Sequence, residues 1–185
     1  MLTPAPRPQP GRPTPAPGLR QRLEGVGRAL FPAAAGAALM ILAAAPVGLP
    51  STVEAVTLPC IFFWSVFRPA SMSPPAVFLI GLLQDLLTMS PFGTGVVALL
   101  LMHTVALRLR AFIARQSFLT VWMLFCGFAF ATALFDWALH GLLALRLPPI
   151  APVAHLSLIA AGLYPGLALF YSRVHEAMRQ AETAP

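Results

Sequence analysis

From Ala29 to Tyr171 the chain is one apolar segment after another, interrupted only by short turns. Six segments can be drawn: Ala29 to Gly48, Val53 to Phe67, Pro75 to Met89, Gly93 to Leu107, Ser117 to Leu143 and Ile150 to Tyr171. A bilayer core takes about 20 apolar residues per helix, so six crossings use roughly 120 residues. In a chain of 185 residues that leaves a tail and short loops, with no room for a separate soluble catalytic domain. Only 10% of the residues are charged, where soluble domains have about a quarter. The expected fold is an all-α integral membrane protein, a six-transmembrane-helix bundle.

The first 28 residues are rich in Pro, Gly and Arg, a composition that builds no core, so residues 1–28 are expected to be a disordered cytoplasmic tail. Its end, from Gly18 to Arg28, either lies on the membrane surface, where each of Arg20, Arg22 and Arg28 gains about 1 kcal/mol from anionic headgroups, or is simply solvated. The apolar run that follows is near span length, longer than the apolar core of a signal peptide, and reads as the first transmembrane helix. Residues 29–175 form the expected transmembrane domain and 176–185 a short cytoplasmic tail.

The second to fourth segments are short for a core of about 30 Å, and need interfacial residues such as Phe92 and Arg108, or a thinner bilayer, to span it. A five-span alternative lets residues 75 to 107 cross once. Arginine placement decides between them. All twelve basic residues are Arg. With six spans and the N-terminus inside, eleven fall on the cytoplasmic side and Arg146 alone outside, whereas five spans give seven against five. Both termini are therefore expected to be cytoplasmic. The basic charge does not indicate nucleic-acid binding, because the arginines flank apolar spans instead of clustering with exposed aromatics.

This topology places the few polar residues in depth. Asp85 lies about 9 Å from the outer turn at Pro91 at 1.5 Å per residue, with Gln84 beside it. Glu54 opens the second span from the outside, Asp136 and His140 share a face of the fifth at i, i+4 spacing, and His155 begins the sixth. Since a carboxylate facing lipid is costly, Glu54, Gln84, Asp85, Asp136, His140 and His155 are expected to form a buried polar cluster. Its role is either helix packing or a pocket or partner groove open to the outside. His103, deeper and alone, reads as a helix-packing group. Gly162 and Gly166 form a small-xxx-small pair that permits close helix approach, with Pro165 between them perturbing the helix. Cys60 and Cys126 read as apolar fillers, and no metal or cofactor set is seen. The common nucleotide, hydrolase and metal motifs are absent, and Asp136 with His140 lacks a nucleophile, so no catalytic residues are assigned.

The segment FFWSVFRPASMSPPAVFLIGLLQDLLTMSPFG, residues 62 to 93, resembles the rod shape-determining protein MreD family. The resemblance rests on Trp64, Arg68 and Pro69 closing an aromatic helix, then the helix with Gly81, Gln84 and Asp85, then the Pro91 to Gly93 turn. It covers residues 29 to 175 in length and topology, and the long N-terminal tail departs from it. It implies a non-enzymatic, multi-pass component of the bacterial inner (cytoplasmic) membrane, working in cell elongation with MreC, with MreB and with the peptidoglycan polymerase and transpeptidase pair. It also implies a fold resembling the substrate-binding subunits of energy-coupling-factor transporters. The alternative function is such a small-molecule, vitamin-type carrier subunit.

Reporter fusions after Arg68, after Arg115 and at the C-terminus are expected to report cytoplasm, and one near Pro148 the outside. A C-terminal reporter active outside would overturn the six-span topology.

Overall fold

The computed structural model describes residues 31, 33–44 and 50–183, so the expectations made for the N-terminal tail lie outside the described residues. The regular elements are helical throughout: α1 (Ala33–Ala44), α2 (Pro50–Phe67), a 3-10 turn (Pro69–Ser71), α3 (Pro74–Thr88), α4 (Thr94–Ile113), α5 (Phe118–Ala144) and α6 (Ala151–Thr183). Local chemistry sets several boundaries. Pro74 and Pro75 open α3 after the extended Ser73, where a missing N–H costs nothing. The Ser117 hydroxyl accepts the Thr120 N–H at 3.4 Å to cap α5.

Three helices among the described residues are long and apolar enough to cross a membrane: Thr94–Ile113, Phe118–Ala144 and Ala151–Ala177. The α5 window has a mean hydropathy of 2.0 yet is only 22% buried, and Phe118, Leu119, Met123 and Phe130 point outward. Such a face is stable against lipid and not against water, which marks membrane association. The helices Ala33–Ala44, Ser51–Phe67 and Pro74–Thr88 are apolar but shorter. At 15 residues, α3 is only about 22 Å long at 1.5 Å per residue.

Two ends differ from the sequence reading. Helix α4 continues past Leu107 to Ile113, taking Arg108 and Arg110 into its last turns, because Arg is a good helix former whose stem lies along apolar surface. Helix α6 continues to Thr183, past the apolar segment that ends at Tyr171. No Gly or Pro interrupts the run after Gly166.

Helix α2 is the centre of the assembly, packed against α3, α4 and α6. Its Ile61, Phe62, Trp64 and Ser65 are all at most 1% exposed. Phe62 meets Phe125 at 5.4 Å and Tyr164 at 6.0 Å, and Phe125 stacks on Tyr164 at 4.2 Å, tying α2, α5 and α6 by dispersion and quadrupole geometry. Ser65 Oγ donates to the Ile61 carbonyl at 2.6 Å and lies 2.7 Å from His103 Nδ1. His103 thus links α4 to α2.

Pro165 sits inside α6 and cannot donate to the carbonyl four residues earlier, that of Ala161. The Trp122 indole N–H of α5 donates to that oxygen at 2.9 Å. The helix defect is thereby turned into an interhelical bond.

Among the described residues no neighbour takes up the approach that the glycine pair in α6 permits: a Cβ at Gly162 or Gly166 would meet open space. Close approach of one helix backbone to another is found at Gly81, where a Cβ would fall 2.7 Å from the Val96 Cα. Which helix face meets a neighbour is not encoded in the small-xxx-small spacing itself.

Gly81→Ala is accordingly expected to destabilise the protein by about 1–3 kcal/mol through overpacking, whereas Gly162→Ala should be within about 0.5 kcal/mol of the parent. Thermal denaturation in detergent measures both, and equal effects would refute the assignment of the contact to Gly81.

Candidate functional site

The stretch from Gly81 to Gly95 folds into a locked helical hairpin. The start of α4 has backbone N–H groups with no intrahelical acceptor, and Asp85, 1% exposed, turns its carboxylate to them. Oδ2 accepts the Gly93 N–H at 2.7 Å and Oδ1 the Gly95 N–H at 2.9 Å. These are charge-assisted bonds at the positive end of a helix dipole. The chain reaches this arrangement through Gly93 at φ 98° and Met89 at φ 55°. Thr94 Oγ1 donates to the Pro91 carbonyl at 2.9 Å, and Thr88 Oγ1 to that of Gln84 at 2.9 Å. Gly95 has no room for a side chain, since a Cβ there would overlap Asp85 Oδ1.

At the opposite end of the bundle, Trp64, Arg68 and Pro69 close α2. The Arg68 N–H donates to the Trp64 carbonyl at 3.0 Å and the Arg68 carbonyl accepts from Ser71 at 3.0 Å, with Pro69 opening the 3-10 turn. Trp64 is buried against Phe63 and Tyr171.

The other polar residues meet at the end where α2 and α6 begin and α5 terminates. A cavity of about 740 Å³ there is lined by Ser51 and Glu54 of α2, Ser90 of the α3–α4 turn, Asp136, Trp137 and His140 of α5, Pro148 and Pro149 of the α5–α6 loop, and Pro152 and His155 of α6. The loop is held over α5 by the Trp137 indole, which donates to the Pro148 carbonyl at 2.9 Å. His140 Nδ1 is 3.1 Å from Asp136 Oδ2 and 2.9 Å from the Asp136 carbonyl, so the i, i+4 pair is in contact. Beneath lies a void of about 20 Å³, lined by Glu54, Gln84, Asp136 and Thr132, whose hydroxyl donates to the Phe128 carbonyl, together with apolar side chains. That is about the space of one water.

Four of the six polar residues singled out in the sequence, Glu54, Asp136, His140 and His155, thus line one cavity, and Gln84 lies below it. The expected buried cluster needs two corrections. Asp85 does not line the cavity, because its carboxylate is consumed by the start of α4. Of the set only Gln84 and Asp85 are buried; Glu54, Asp136 and His140 are half-buried and His155 is exposed, because the cavity opens at the end of the bundle. Ser51, Ser90, Trp137 and Pro148 were not singled out from the sequence. A Trp beside an intramembrane Asp was the available signal for Trp137; Ser90 and Pro148 carry none. Among the described residues no group of three or more His, Cys, Asp or Glu is placed to hold a metal ion.

Searches against family models, curated proteins and solved structures give no match for this chain.

Because both oxygens of Asp85 accept a backbone N–H, Asp85→Asn keeps one acceptor and sets an NH₂ group against the other donor, a buried mismatch costing about 1–3 kcal/mol. Asp85→Leu leaves both donors unpaired and should cost more. Denaturation in detergent is expected to rank parent above asparagine above leucine; an asparagine variant as stable as the parent would refute the capping role.

Proposed function

We propose that the protein is a non-enzymatic membrane scaffold of the MreD type in the bacterial cytoplasmic membrane, which binds MreC and helps to position peptidoglycan synthesis in cell elongation. MreB and the peptidoglycan polymerase and transpeptidase pair would be engaged directly or through MreC. In this reading all six helices cross the bilayer with both termini cytoplasmic, and the three short ones are accommodated by interfacial side chains or local thinning. The observation that carries it is the fate of the motif residues. Gly81, Asp85, Pro91 and Gly93 are spent on building the α3–α4 hairpin, as expected of residues that specify a rigid surface and not a reaction centre. The large apolar exposure of α3, including Phe78, Leu79, Leu82 and Leu86, also suits a protein whose surroundings are lipid and other transmembrane helices.

The cavity of about 740 Å³ favours a second reading, a substrate-binding subunit of a small-molecule transporter. Its volume is that of ordinary ligand pockets.

Tagged full-length chain extracted from membranes is expected to retain MreC as a stable complex, and its gene to restore rod shape where the resident copy is depleted, with Asp85→Leu failing to do so. Retention of a small molecule without MreC would favour the carrier reading instead.

A further inference from the structure

Toward the end where α2 begins and α5 terminates the two helices part, and the gap between them is the open cavity with its narrow foot. Two carboxylates face this gap from opposite helices, Glu54 from α2 and Asp136 from α5. Formal negative charge in a half-buried, mostly apolar cleft needs a positive or hydrogen-donating partner. His140 supplies one N–H, to Asp136 Oδ2 at 3.1 Å; a carboxylate has about four acceptor positions, so most of that capacity is unused. Arg146 lies in the adjoining outer cavity with His140, Pro91 and Phe92.

The foot of the cleft gives an independent indication. Gln84 is 7% exposed, lines the lower void with Glu54 and Asp136, and its Oε1 is buried with no hydrogen-bond partner. Its Nε2 lies on the other side, toward Gly95. An unpartnered buried carbonyl beside two carboxylates defines a site made of acceptors. Around it Trp137, Pro148, Pro152 and Leu156 offer apolar walls, one of them an indole able to meet a cation with its π face.

We propose that this pocket binds a small organic cation bearing N–H donors, a primary ammonium or guanidinium group, with Glu54, Asp136 and Gln84 as acceptors and the Trp137 side supporting the hydrocarbon part. Quaternary ammonium groups lack the donor that Gln84 and the carboxylates call for. The same chemistry is presented by free amines and by an ethanolamine lipid headgroup. The site rests on its own residues and stands whether or not the chain binds MreC.

The full-length protein in non-ionic detergent is titrated by calorimetry with phenethylammonium and, separately, with the neutral 2-phenylethanol. Saturable binding of the amine, at least tenfold tighter than the alcohol, is expected, with a further tenfold loss in each of Glu54→Gln and Asp136→Asn and a severalfold loss in Gln84→Leu. Equal binding of the alcohol, or no saturable amine binding to the parent protein, overturns the proposal without reliance on any variant. Undiminished affinity in both carboxylate variants does the same. Nanodiscs then separate the sources: weaker amine binding in phosphatidylethanolamine than in phosphatidylcholine discs supports a lipid headgroup in the site, and equal binding supports a free amine. Capture of MreC by the same preparations is scored separately, so failure of the cation site and failure of the scaffold reading are distinguishable.

Discussion

The carboxylate of Asp85 holding the first N–H groups of α4 is the interaction on which the arrangement at this end of the bundle depends. A helix start presents orphan N–H donors that must find acceptors, and the Asp85 side chain that answers them here is buried. Asp85 satisfies two of them from the preceding helix, which brings α3 and α4 together at a fixed angle and makes Gly81 and Gly95 the points of nearest approach. The turn between them then has one conformation, and Ser90 is delivered to the rim of the cavity.

The cavity follows from what this hairpin leaves undone. Helix α2 packs on α3, α4 and α6, and α5 packs on α4 and α6, so α2 and α5 are held apart by shared neighbours. Deeper in the bundle the space is filled by Phe62, Phe125 and Tyr164. Nearer the end, where α5 meets the loop pinned by Trp137, the filling is polar and incomplete. A packed aromatic floor beneath a half-solvated acid-lined mouth suits both a scaffold that needs rigidity and a site that needs a defined shape.

Legibility varied residue by residue. The contact between Asp136 and His140 could be read directly, because i, i+4 neighbours on a helix meet whatever surrounds them. Their convergence with Glu54 and His155 was accessible as a common depth. The direction of Asp85 was not: depth follows from counting residues to a turn, but azimuth depends on which neighbour packs where. The same limit hid the close helix approach at Gly81, since spacing alone, as at Gly162 and Gly166, does not supply a neighbour. Trp122 and Pro165 show a third case, in which the defect was visible and its repair, by a Trp122 indole 39 residues before Ala161 in sequence, was not.

The sequence by itself determined that the chain is helical and that its long helices suit a membrane, because apolar run length is a local property and a bilayer leaves the backbone of such a run little choice but to bond within itself. It also set the order of elements and the turn residues Pro91 and Gly93. Tertiary structure alone decided which polar side chains share the cavity, which one is spent as a helix cap, and which glycine carries the helix contact. Those outcomes depend on the rotation of each helix about its axis, and that rotation is settled only when all the neighbours pack at once.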